Sequence, residues 1–111
     1  MTDKLSPGGQ ILFAIATALG ARVTSTFRDE KTNATVGGSP ASKHLSGDAI
    51  DLGHEAPQIA VNALSLFGVG GWHDKGSAPH YHFEATAYTV PLFIAGILAA
   101  GMIARHGKVG K

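Results

Sequence analysis

Between Ala85 and Ala104 the chain carries no charged residue, and from Val90 to Ala104 every side chain is apolar or Gly. A helix that is apolar all round needs a large core or a bilayer around it, and a chain of 111 residues has little core to offer. At about 1.5 Å per residue, twenty helical residues rise roughly 30 Å, one hydrocarbon thickness. Tyr88 suits an interfacial aromatic, and Arg105, Lys108 and Lys111 suit a basic flank. Gly96 and Ala100 form a small-xxx-small pair that lets two such helices approach. The expectation is therefore three parts: a folded unit over residues 1–84, a transmembrane helix over 85–104 able to self-associate, and a basic tail over 105–111. A buried C-terminal core helix is the alternative.

Charge divides at the same place. Through Ala104 there are six Lys/Arg (Lys4, Arg22, Arg28, Lys31, Lys43, Lys75) against eight Asp/Glu, so the body is near −2; the tail adds three basic residues and gives the net +1. A nucleic-acid footprint would need a basic stripe through the folded part, so no nucleic-acid partner is expected. Without Cys there is no disulfide scaffold, no Cys-ligated zinc finger and no thiol nucleophile.

The first 84 residues alternate helix and strand signals. After a short polar lead-in over 1–8, Ile11, Leu12, Ile15, Ala16, Ala18 and Leu19 recur at helical spacing and Gly20 supplies a stop. Arg22–Phe27 is β-branched and reads as a strand. Residues 29–47 form a long polar loop, with room for a short helix, and loops of that length are usually functional. Ala49–Leu52 is a short strand. Ala56–Phe67 is a helix with Ile59, Ala63, Leu64 and Phe67 as its apolar stripe and Pro57 in its first turn. Gly68–Trp72 and His80–Glu84 then pair as a hairpin.

Five of the six histidines lie in the middle of this unit: His44, His54, His73, His80 and His82. Three motifs stand out there. Ser42-Lys43-His44-Leu45-Ser46-Gly47-Asp48-Ala49-Ile50-Asp51 is S-x-H-x-x-G-x-A-x-D; His80-Tyr81-His82 is H-x-H; Ser25-Thr26-Phe27-Arg28 ends the first strand. His44 and Asp51 can converge because Gly47 lets the chain turn between them. His80 and His82 share one strand face, so one can bind a metal while the other stands behind it or touches a bound water. Two neutral imidazoles and one carboxylate leave a zinc site net positive, which favours a bound water of pKa near ~7. His54 reads as a polar loop residue. His73 suits either a cleft wall or a structural hydrogen bond, and Trp72 suits core or cleft wall. Ser42 fixes its loop, and Asp48 and Glu84 face solvent or neighbours.

From about Val23 to Glu84, these motifs resemble the zinc D-alanyl-D-alanine carboxypeptidase and L-alanyl-D-glutamate endopeptidase family, which shares its fold with the hedgehog signalling domain. TSTFRDEKTNATVGGSPASKHLSGDAIDLG is similar to that family's order of strand, arginine, loop, His and Asp, and GVGGWHDKGSAPHYHFE to its closing hairpin. The resemblance implies an α+β fold, a small antiparallel sheet with flanking helices. It implies Zn2+ held by His44, Asp51 and His82, with His80 as acid/base and Arg28 holding a substrate carboxylate or carbonyl. Pro79 stands where many catalytic members carry an acid or a histidine, which leaves His80 as the first candidate base and Asp74 as the second.

The function so implied is hydrolysis of peptidoglycan stem peptides, of D,D-carboxypeptidase or L-alanyl-D-glutamate endopeptidase type, in the style of a phage endolysin. The expected setting is a host envelope or virion membrane, with the zinc domain on the cell-wall side. Two other readings are a non-catalytic zinc-stabilised binding module and a structural membrane or virion protein with a vestigial site.

Overall fold

The computed structural model describes residues 4–38, 42–74 and 78–109, with side chains described as far as Ala104. The hairpin turn at 75–77 and the side chains of the basic tail lie outside the described residues. The elements run α1 (Pro7–Ala18), β1 (Val23–Ser25), α2 (Glu30–Thr35), β2 (Ala49–Leu52), α3 (Gln58–Phe67), β3 (Gly68–His73), β4 (His80–Ala85) and α4 (Thr89–Val109). This is the expected α+β class, built on one antiparallel four-stranded sheet of order β1-β2-β4-β3.

Strand alternation decides where the site lies. On β4, Phe83 points into the core with no exposed surface and Tyr81 packs against the same core, so His80, His82 and Glu84 take the opposite face. Asp51 pairs with His82 in register and Ile50 with Phe83, so Asp51 joins that face while Ile50 and Leu52 enter the core. β2 is buried throughout. One face meets Leu12 and Ala16 of α1 and Ala60, Val61 and Leu64 of α3, and the other lies beneath the loop that carries His44.

Local chemistry sets the helix ends. Ser6 accepts a hydrogen bond from Gly9 N–H at 3.1 Å and Pro7 opens α1, so the polar lead-in is a helix cap. Asp29 accepts from Thr32 N–H at 2.7 Å and starts α2 inside the long loop. The buried face of α3 is Ala60, Val61 and Leu64; Ile59 is 63% exposed, so the stripe read from sequence is rotated by one position.

α4 leaves the transmembrane expectation unsupported. The helix exists, and its first turn is tied down: Thr89 is fully buried, its hydroxyl donates to Phe67 C=O and accepts from Thr86 N–H, and Phe93 meets Phe67 edge-on at 6.0 Å. Yet among the described residues no helix is long and apolar enough to cross a membrane. The strictly apolar run is Val90–Ala104, which at about 1.5 Å per residue rises roughly 22 Å against a hydrocarbon core of about 30 Å.

Gly47 is the turn on which the site depends. Its φ is +76°, and a Cβ placed there would lie 2.5 Å from Lys4 C=O and 3.0 Å from Leu5 Cα. Gly47→Ala therefore meets both backbone strain and a backbone clash, and should cost at least ~1–3 kcal/mol. Thermal unfolding of the metal-free protein checks this, and an unchanged melting temperature would contradict it.

Candidate metal centre

His44 sits at the end of a turn closed by Leu45 N–H to Ser42 C=O and Asp48 N–H to Lys43 C=O, with Ser42 Oγ accepting from His44 N–H at 3.2 Å. Its ring is almost fully buried, and Nδ1 lies 2.6 Å from Thr26 C=O. A carbonyl only accepts, so Nδ1 carries the proton and Nε2 keeps its lone pair. That Nε2 is 3.2 Å from Asp51 Oδ1 but forms no hydrogen bond of acceptable geometry, and it is a buried polar atom without a hydrogen-bond partner. A buried lone pair held in place with nothing to bind is what a metal ligand looks like before loading.

Asp51 and His82 complete the group. His82 Nδ1 is 2.7 Å from Asp51 Oδ1, and its Nε2 is 3.1 Å from Glu84 Oε1, a carboxylate standing behind the ring. Both ring nitrogens face carboxylate oxygens, which only accept, so the ring donates from both sides; a metal at Nδ1 would take the place of that proton while Nε2–H stays on Glu84. The ligand atoms of His44, Asp51 and His82 all lie within 4.8 Å of one another. Tetrahedral zinc with bonds of about 2.0–2.1 Å spaces its ligand atoms by about 3.4 Å, within this range. Two imidazoles and one carboxylate, each with a partner behind it or a strand beneath it, fit zinc with a free coordination position.

Two further side chains face the same space. His80 Nδ1 is 2.8 Å from Ala78 C=O, so it too is protonated at Nδ1, and its Nε2 lies 3.7 Å from Asp51 Oδ1. Arg28 Nη2 is 3.8 Å from Asp51 Oδ2, and its buried Nε has no hydrogen-bond partner among the described residues. Arg28 is held by its own backbone N–H, which donates to His44 C=O at 3.0 Å. The cleft has a volume of about 1080 Å³ and runs from the Val23–Arg28 strand end across Asp51 to His73, His80, His82 and Glu84.

His44, Asp51, His82, His80 and Arg28 thus converge as expected. Asp74 does not: it follows β3, is exposed, and forms no part of the cleft wall. His73 lines the cleft, its ring 5.1 Å from that of His80. Trp72 stacks edge-on with Tyr81 at 5.1 Å on the sheet face away from the metal group. Ser42 fixes its loop, and Asp48 pairs with Ser46 Oγ at 2.7 Å. Glu84, read from the sequence as facing solvent or neighbours, pairs with His82, because its place two residues beyond His82 puts it on the same strand face. The Thr26 carbonyl had no side-chain signal at all.

A family model described as Peptidase M15 matches residues 9–69, more than half of the chain. The chain belongs to the peptidase M15 family of zinc-dependent peptidases. The matched stretch carries Arg28, His44 and Asp51; His82 lies beyond it on β4, where sheet register supplies the third ligand. No curated protein and no solved structure matches the chain.

The ligands should separate by role. His44→Ala, Asp51→Ala and His82→Ala should each abolish stoichiometric zinc, measured by metal analysis after dialysis. Glu84→Gln should retain a site but bind zinc roughly 10–100-fold more weakly, the usual effect of removing a ligand's outer partner. Full occupancy in all three alanine variants would overturn the ligand set.

The same contacts give a pH signature. The hydrogen bond to Asp51 raises His82 above the ordinary 6.5, against the opposing effect of burial and with help from Glu84. Burial works against the Asp51 carboxylate, yet the His44 and His82 rings beside it hold it well below 3.8. In metal-free protein the His82 contribution is complete below the imidazole value and is lost as pH rises through the raised one; the Asp51 contribution is lost as pH falls below 3.8. Zinc requires His82 without its second proton, so the stabilisation by zinc should grow as metal-free stability declines above pH 6.5. Paired melting curves with zinc and with chelator check this, and a zinc increment independent of pH would contradict it.

Proposed function

We propose that this chain is a zinc peptidase that hydrolyses the stem peptides of bacterial peptidoglycan. The observation that carries the reading is the convergence, in one open cleft, of a three-ligand metal group with an imidazole lone pair and a buried guanidinium, in a chain of the peptidase M15 family. Zinc held by His44, Asp51 and His82 supplies Lewis acidity, which lowers the pKa of water and polarises a carbonyl.

The chain's own residues supply the rest. His80 Nε2 faces the metal group with its lone pair free, because Nδ1 is committed to Ala78 C=O. It is placed to take the proton of an attacking water and return it to the leaving amine. Arg28 is fixed by its backbone and keeps an unused Nε–H, so its fork can hold a substrate carbonyl or carboxylate oxygen and offset developing negative charge. Cell-wall stem peptides end in a free carboxylate and carry another on their acidic residue, which suits a cleft with a metal and an arginine side by side. A D,D-carboxypeptidase would use Arg28 on the terminal carboxylate; an L-alanyl-D-glutamate endopeptidase would use it on an internal oxygen.

His80→Ala should keep its zinc and fold and lose activity by roughly 10² or more on purified cell walls. The measurement is release of free amino groups from walls, with and without chelator, alongside metal analysis. Wild-type rates in His80→Ala would remove it as the acid/base. A zinc-loaded wild-type chain that releases nothing from any stem peptide would favour a zinc-stabilised binding module.

A further inference from the structure

His73 lines the cleft, yet neither the metal group nor the proposed hydrolysis uses it. It is the register partner of His80 in the β3–β4 ladder, so the two side chains leave the sheet side by side on the face that carries Asp51 and His82. Their ring centres are 5.1 Å apart, with the planes tilted by 44°. Two imidazoles on one tetrahedral zinc, at Zn–N distances of about 2.0–2.1 Å, hold their ring centres roughly 5 Å apart. The rings of His44 and His82, both members of the metal group, stand 5.2 Å apart. One cleft thus holds two imidazole pairs at ligand spacing.

His80 is already oriented for such a role. Ala78 C=O, at 2.8 Å, keeps the proton on Nδ1, and Nε2 holds its lone pair 3.7 Å from Asp51 Oδ1, beyond hydrogen-bond reach. His73 is exposed, so an ion reaches the pair from solvent. Asp51 and Glu84 bring two carboxylates to the same face, which offset part of the charge of a second divalent ion. Neutral imidazole suits zinc, copper and nickel, and water completes the coordination of a two-histidine site.

We infer that His73 and His80 form a second, weaker zinc site across β3 and β4, filled only after the group of His44, Asp51 and His82 is loaded. The pair lacks the carboxylate of the first group, and the ion already bound repels the second, so ligand number and charge set the order of filling. A consequence for the reaction rests on the hydrolytic reading of the cleft. The second ion occupies Nε2 of His80, so the nitrogen placed to receive a proton from water is no longer free. Zinc beyond one equivalent therefore inhibits.

Calorimetric titration of zinc into the full chain, already loaded with one equivalent, is the test. The wild type should take up a second equivalent more weakly than the first. His73→Ala should keep the first equivalent and weaken the second by roughly tenfold or more, since losing a ligand costs at least as much as losing a ligand's outer partner. His54→Ala removes a cleft histidine outside the pair and should change neither. A wild type that stops at one equivalent overturns the inference. So does a second event of full strength in His73→Ala, or one lost in His54→Ala. On cell walls, wild-type turnover should fall as the second equivalent binds, and His73→Ala should need roughly tenfold more zinc for the same loss. Unchanged turnover with the second site filled would overturn the inhibition. A chain that is inactive at one equivalent, yet binds the second through His73, would uphold the site and place the error in the hydrolytic reading.

Discussion

Everything at the functional end of this protein is tied to the carboxylate of Asp51. It projects from a central strand that is buried on both faces, and it is approached by His44 from the long loop, His82 from the neighbouring strand and Arg28 from the end of β1. A charged group in that position is expensive unless its neighbours compensate it. Here two imidazoles and a guanidinium do so, and the same neighbours make a metal group. The loop between Arg28 and Asp51 can be long because its far end is pinned at three points: His44 to Thr26 C=O, Arg28 N–H to His44 C=O, and Ser6 N–H to Gly47 C=O.

The tautomers are fixed by backbone, which is why the arrangement is directional. A peptide carbonyl has no proton to give, so His44 and His80 are each obliged to protonate Nδ1 and present Nε2. His82 is turned the other way, with Nε2–H on Glu84 and Nδ1 hydrogen-bonded to Asp51 Oδ1. Three histidines on three different supports therefore aim a ring nitrogen at one small volume, His44 and His80 with a lone pair and His82 with the nitrogen that holds Asp51. The sheet register does the remaining work: pairing Asp51 with His82 and Gly71 with His82 places the third ligand between two strands that cannot slip without turning Phe83 out of the core.

Much of this was legible in the sequence where a period or a turn residue carried it. The alternation of His80, His82 and Glu84 against Tyr81, Phe83 and Ala85 is visible as a period of two, and Gly47 between His44 and Asp51 marks the turn. What escaped had no local signature. The α3 stripe was misread by one position because Ile59 and Val61 are equally apolar, and only packing on Leu12 and Leu52 decides between them. Ser6 and Pro7 looked like a lead-in and are a helix start, since capping is seen only once the helix is in place. The length of an uncharged run gave a transmembrane helix, but Thr86, Tyr88 and Thr89 at its head are turn and anchor residues, which shortens the apolar span.

Charge in the cleft is arranged in depth. Zinc on two neutral imidazoles and one carboxylate would leave a net +1 at the metal, and Arg28 adds a second positive charge on the same side. The negative charge of Glu84 stands at Nε2 of the His82 ring, where it makes the ligand more electron-rich. Positive charge is thus gathered on the Arg28 side of the cleft, where an oxygen that gains negative charge would be stabilised. His80 faces Asp51 with a lone pair, so the cleft that gathers positive charge also holds a proton acceptor beside the carboxylate. Positive charge at Arg28, a metal group around Asp51 and a proton-accepting nitrogen at His80 therefore share one cleft, which is the set of groups that the proposed hydrolysis requires.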